Sequence, residues 1–348
     1  MKSYAIILVA AAGLIGCQPM NASTIQQEVE GPYDTESRYD MSSFSGIFGQ
    51  IAGQWVTPDA LITNRIVGQV ETQYGSSVAS TFRSILGQSI QTEINSYVSG
   101  RAPWIYQVSS GLNKVDAQMK TLDVQTTMLV VDQGENYKAT QTWNGISLFD
   151  DPSCRDSGGI GCSQTSLDTA SLLDSEYPVE IISSDYVAQV DRDQMNIESG
   201  SLDFNYGRLG LVMLTNQLLP AQASEGVGFR EVVLGAVNCR GMAGRLADKG
   251  MLGVDIAGVD VGVSLNDVIG NCEDGVLGQV NGFVDLFEVP VGMSLTGQAR
   301  LHDVDFDGQI DQINEGNLGG TMALQKLGVS EEGLVSGQFI GFRVGDIP

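Results

Sequence analysis

The stretch "TLDVQTTMLVVDQGENYKATQTWNGISLF", residues 121–149, is where the chain changes its period. Leu122, Val124, Thr126, Met128 and Val130 recur at every second residue, although the alternation blurs at Leu129 and Val131. That spacing places one side of an extended chain against a core. Gln133-Gly134-Glu135-Asn136 makes a turn, and Tyr137–Phe149 supplies the returning strand of a hairpin.

Upstream, the period is that of a helix. Val78, Phe82, Ile85, Leu86, Ile90, Ile94 and Val98 recur mostly three and four apart. "SGRAP" at 99–103 breaks the pattern, and Trp104, Val108, Leu112, Val115, Met119 and Leu122 resume it. Two helices packed as an antiparallel pair are expected, their stripes serving as core. Downstream, "YPVEIISSDYVAQV" and "QMNIESGSLDFNY" read as a second strand pair. "RLGLVMLTNQLLP" and "SEGVGFREVVLGAVNC" read as helices, the first ended by Pro220. "SLNDVIGNC" opens with a Ser264-x-x-Asp267 cap, and "GVLGQVNGFVDLF" follows as a short helix. "VGMSLTGQARL", "GNLGGTMALQKL" and "GLVSGQFIGFRV" return to strands. Helices and strands come in separate runs, so the expected class is α+β. It would combine antiparallel sheets, a helical pair near the N-terminus of the body and a C-terminal β-meander.

The totals limit function. Eighteen Lys and Arg stand against 42 Asp and Glu, a formal charge of −24. Such a surface has little with which to neutralise phosphates, which argues against a nucleic-acid partner. It also disfavours adhesion to anionic lipid.

The chain opens "MKSYAIILVAAAGLIGCQPM". Lys2 followed by the apolar run Tyr4–Ile15 has the form of an export signal, too short to span a bilayer. Leu14-Ile15-Gly16-Cys17 resembles the lipobox of bacterial lipoproteins. The resemblance implies cleavage before Cys17 and acyl chains such as palmitate on its thiol. Gln18 in place of Asp implies, within the Gram-negative members of that family, an outer-membrane destination. The expected organisation is a signal peptide at 1–16, a lipidated tether at 17–43, an α+β body at 44–288 and a β-rich part at 289–348. The last two parts could form one domain.

Four cysteines remain in an exported chain, and two disulfides follow. Of the three connectivities, Cys154–Cys162 with Cys239–Cys272 is the one expected. Zinc is not, because His302 is the sole histidine.

"LHDVDFDGQIDQINEGN", residues 301–317, carries the strongest chemical signal. Asp303, Asp305 and Asp307 alternate before Gly308, Gln309 can offer its carbonyl, and Asp311 follows. The pattern resembles the EF-hand loop, which implies calcium held by Asp303, Asp305, Asp307, Gln309 and Asp311. Three departures stand out. Asn314 occupies the place of the closing Glu, with Glu315 one residue later, Phe306 is bulky, and the flanks are strands. A hairpin calcium loop is expected rather than a helix–loop–helix sensor. Motifs for nucleophilic, zinc-dependent or nucleotide chemistry are missing from the sequence.

The combined reading is a lipid-anchored, non-catalytic envelope protein with a structural calcium loop and a structural or binding role. Its protein or ligand partner is not specified. Two alternatives stand beside it. Residues 76–131 resemble the lipid-binding tubular proteins, which implies a carrier for an apolar ligand. A calcium-dependent hydrolase using paired carboxylates is the other.

Overall fold

A computed structural model describes residues 28–44, 46–149, 164–168, 172, 178–180, 182–218, 229–326 and 329–345. The strands are β1 (Gly31–Asp40), β2 (Thr121–Asp132), β3 (Tyr137–Phe149), β4 (Gln164–Asp168), β5 (Ser183–Asp191), β6 (Gln194–Asn205), β7 (Gly253–Ile256), β8 (Val259–Gly262), β9 (Pro290–His302), β10 (Gln312–Lys326) and β11 (Val329–Arg343). Eight of them form a closed antiparallel barrel in the order β1-β2-β3-β5-β6-β9-β10-β11, with β11 pairing back onto β1. Short β4 continues the edge of β3 beyond β5, and β7–β8 is a separate hairpin.

The barrel corrects the expected α+β arrangement of antiparallel sheets. The individual hairpins are where the sequence placed them, and β9–β10–β11 is indeed a meander. The element that the sequence does not announce is β1, which occupies part of the expected tether at 17–43. Opposite Tyr39 stand Leu122 on one side and Gly337 on the other. This strand alone bridges β2 and β11, so reading it as coil turns a barrel into an open sheet. Its alternation is hidden because all four of its inward residues carry hydroxyls and two are the small Thr35 and Ser37: Tyr33, Thr35, Ser37 and Tyr39 are buried, while Asp34, Glu36, Arg38 and Asp40 face out. Residues 1–27, with the signal peptide and Cys17, lie outside the described residues, as do Cys154 and Cys162.

The inward hydroxyls of Thr35, Ser37 and Tyr39 on β1 meet Gln141 of β3. Its amide donates to Ser37 Oγ at 2.8 Å, Thr126 Oγ1 at 2.7 Å and Thr35 Oγ1 at 3.2 Å. Its carbonyl accepts from Tyr186 Oη at 3.1 Å and Tyr39 Oη at 3.3 Å. A buried polar cluster is tolerable only when its members are paired in this way. Apolar side chains fill the remaining interior, so this is a packed barrel.

The helices gather at one end. They are α1 (Ile47–Ala52), α2 (Pro58–Tyr74), α3 (Ser76–Phe82), α4 (Gln88–Ser99), α5 (Val108–Met119), α6 (Tyr206–Leu218), α7 (Phe229–Val237), α8 (Cys239–Asp248) and α9 (Leu265–Asp285). Asp40, Thr121, Asn205 and Pro290 are the strand ends that lead to them. The two expected stripes are present as α3–α4 and α5, but they do not form a pair of their own. Instead α4 packs on α2, and α5 packs on α1 and α6. A file of aromatic rings runs from Tyr39 and Trp143 in the barrel through Phe204, Tyr206 and Phe48 to Phe287 in the helical layer, with centroids 5.4–6.3 Å apart. One core therefore spans both layers, and the strands after 289 belong to the same barrel as those before.

Cys239 opens α8 and Cys272 lies inside α9, and the two form the expected disulfide with Cα atoms 5.6 Å apart. The capping Ser264 accepts from Asp267 N at 3.1 Å, but the two short helices expected after it are the single helix α9.

Candidate metal centre

The other end of the barrel has only short connections, at 133–136, 192–193 and 303–311. The last of these is the aspartate loop between β9 and β10. It brings Asp303, Asp305 and Asp311 together, each offering a carboxylate oxygen within 4.8 Å of the others. Asp307 is not in that group, and its Oδ1 accepts instead from Gln309 N at 2.7 Å. The loop is wound by its own carboxylates. Asp303 Oδ2 accepts from Gly308 N at 2.9 Å, and Asp305 Oδ1 accepts from Asp307 N at 3.2 Å. Gly308 at φ 95° adopts a left-handed conformation that a glycine allows, turning the loop sharply after Asp307.

Asp303 Oδ1 is shut off from solvent and has no hydrogen-bond partner among the described residues. Asp305 is pulled down by the Asp307 backbone N–H. Desolvation and the charges of Asp307, Asp311 and Asp303 outweigh that pull and leave its carboxyl above the ordinary value. The three grouped carboxylates are hard oxygen donors, the chemistry that suits calcium. Glu315 does not complete the set, since it pairs with Arg300 at 3.2 Å. Asn314 donates to Gln312 Oε1 at 3.1 Å.

The loop also closes the barrel. Glu28 N donates to Gly308 O at 2.8 Å, and Ile310 N donates to Glu28 O at 3.0 Å. Val29 and Ile310 are thereby fully buried as a stopper. Arg343, at the end of β11, clamps both segments: its guanidinium donates to the carbonyls of Ile310, Glu30 and Glu28 at 2.7–2.8 Å. Sequence reasoning missed Arg343 and Val29, because no local spacing connects residue 343 to residue 28.

Two other spaces bear on the alternatives. A groove of about 690 Å³ on the outer wall is lined by Glu36, Arg38, Asp123, Gln125, Glu315 and Gln338 among others. Asp123 is tied to Arg38 at 2.6 Å and Glu315 to Arg300 at 3.2 Å. Inside the barrel, the cavity beside Gln141, Tyr186 and Phe339 measures about 10 Å³, space for a water and not for an acyl chain.

No protein-family model, curated protein or solved structure matches this chain.

Proposed function

We propose that the chain is a lipid-anchored, non-catalytic bacterial envelope protein, held at the outer membrane through Cys17, whose aspartate loop binds calcium as a structural ion. The observation that carries this reading is a coincidence of place. The carboxylates of Asp303, Asp305 and Asp311 converge on the same loop that stoppers the barrel and grips residues 28–30. Those residues are where the chain arrives from Cys17. Calcium there would offset the mutual repulsion of the carboxylates and fasten the body to its tether. The protein supplies few ligands and water completes the shell, so the affinity belongs with extracellular modules at about 10⁻⁴–10⁻³ M.

Calorimetry with millimolar calcium tests the ion: binding heat is expected, and Asp303→Ala or Asp311→Ala should remove it. Fractionation tests the anchor, since Cys17→Ser should move the protein from membrane to soluble fractions. The packed interior and the ion-paired outer groove give no comparable support to a carrier or a hydrolase.

A further inference from the structure

The end of the barrel opposite the helices exposes apolar side chains where its turns leave them uncovered. Phe306, at the crest of the aspartate loop, is 90% exposed, and Val304 beside it is 56% exposed. Phe306 also sits at φ 62°, a left-handed conformation that a bulky side chain seldom adopts. An aromatic residue that is both strained and displayed contributes nothing to the core. Backbone outliers of this kind cluster where a chain meets a ligand or a surface.

The rim behind the loop continues the patch. Val344 N donates to Pro32 O at 3.0 Å, and Pro32 stands opposite Leu129 in the β1–β2 register. Val344, Pro32 and Leu129 are all exposed and form an outward row across three strands, with Val131 exposed two residues further along β2. Phe342 and Ile340 extend the apolar surface along β11 and Val187 is exposed on β5, but Asp34, Glu36, Arg38, Asp203 and Arg300 interrupt the outer wall, so it has no continuous apolar band of the kind a membrane-spanning barrel presents. Phe306 is the most exposed of the large apolar side chains among the described residues, and it stands at this end.

The path of the chain says what covers it. Residue 28 emerges against Gly308, next to Phe306. Whatever their conformation, the eleven peptide steps from Cys17 to Glu28 span at most about 40 Å. An anchor at Cys17 therefore keeps this end within about 40 Å of the bilayer.

We propose that the Phe306 end of the barrel lies against the membrane, with Phe306, Val304 and the Val344–Pro32–Leu129 row seated in the lipid interface. The proposal rests on the lipid-anchor reading above. The carboxylates of the 303–311 loop and of the turns at Asp132 and Asp191–Asp193 surround the patch, so the fitting surface is zwitterionic rather than anionic.

The test places an indole at each end of the full mature protein. Phe306→Trp and Leu334→Trp both substitute exposed positions, the second 72% exposed near the helical end, where neighbouring Gly333 meets Phe44. Each variant is reconstituted into phosphatidylcholine–phosphatidylethanolamine vesicles containing brominated phospholipid. The native tryptophans are buried and give a common background. The emission added by Phe306→Trp should shift to the blue and be quenched at least twofold, and that added by Leu334→Trp should be unaffected. Equal quenching at both positions, or none at 306, overturns the proposal. A blue shift at 306 without quenching also overturns it, because a second copy would then cover the patch. Acylation is read separately from the mass of the N-terminal peptide. If it is absent, the anchor reading fails by itself, and coupling Cys17 to a maleimide phospholipid lets the same quenching decide the orientation.

Discussion

The guanidinium of Arg343 lies over the ring of Tyr33, 5.2 Å from its centroid, and also donates to its hydroxyl oxygen at 3.1 Å. That hydroxyl faces the carbonyls of Val29 and Ile310 at 2.9 and 3.1 Å. Two residues 310 positions apart thus join the start of β1, the end of β11 and the aspartate loop. Arg343→Ala should cost about 2–3 kcal/mol, since it removes charge-assisted bonds to three carbonyls. Arg343→Lys should recover little, because one ammonium cannot reproduce the fork. A glutamate-specific protease should cut after Glu28 and Glu30 in both variants while sparing the wild type. Equal resistance in all three would contradict the clamp.

Gln141 is the hub of the barrel interior. Gln141→Leu keeps the volume but leaves Ser37, Thr126 and Tyr186 without the partners they have in the structure. A loss of about 3 kcal/mol in urea denaturation is expected. A loss below about 1 kcal/mol would mean that the hydroxyls satisfy one another, as the close Thr35–Thr126 contact begins to do.

These two residues also show what could and could not be read from the sequence. Strands with apolar alternation, such as Leu122–Val130 or Val291–Leu301, announce their inward face, and those hairpins were legible. β1 and Gln141 were not, because inward residues that satisfy one another's hydrogen bonds have the composition of a solvated loop. Closure of the barrel is a long-range property of β1 and β11, and no local window contains it. α2 was overlooked although Pro58 at its start and Ile62, Ile66 and Val70 four apart mark it. In the loop, the spacing of the aspartates points to Asp303, Asp305, Asp307, Gln309 and Asp311, and the structure groups the carboxylates of Asp303, Asp305 and Asp311. The spacing does not reveal that Asp307 turns to the Gln309 amide, or that the loop stoppers a barrel.

Cys239 and Cys272 staple α8 to α9, and Cys272 is fully buried. With 33 residues of sequence separation, the loop-entropy relation gives the bridge about 3–4 kcal/mol. The double variant Cys239→Ala, Cys272→Ala should lose most of that in equilibrium unfolding. In the wild type, neither thiol should react with an alkylating agent unless a reductant is added. Quantitative labelling of the native protein would rule the bridge out.

Buried phenols set an alkaline limit. Tyr39 is raised well above its ordinary value by burial and then by Tyr186, and Tyr206 is raised by burial and then by Asp116. Tyr106 is raised by burial and by neighbouring Asp59. Above about pH 10 the unfolded chain gives up these protons while the folded one keeps them. Stability from these groups is therefore complete below pH 10 and falls as pH rises through the raised values. The urea midpoint should drop between pH 10 and 12, with the tyrosinate absorbance of Tyr39, Tyr106 and Tyr206 appearing only as the protein unfolds. Ionisation of Tyr39, Tyr106 and Tyr206 in the folded state would contradict their raised values.

The account turns on an ion that fastens the aspartate loop to the incoming chain, and amide hydrogen exchange at Glu28 and Ile310 measures that fastening. These two amides bond Gly308 O and Glu28 O across the junction. At calcium tenfold above Kd, ion binding stabilises the closed junction by about 1.4 kcal/mol, so both amides should exchange about tenfold more slowly than in chelator. Asp303→Ala and Asp311→Ala should abolish the slowing, Asp307→Ala should weaken it less, and Asp34→Asn on the outer wall should leave it intact. Identical exchange with and without calcium, together with no binding heat at millimolar calcium, would contradict the account and leave the loop as an acidic turn closed by hydrogen bonds alone.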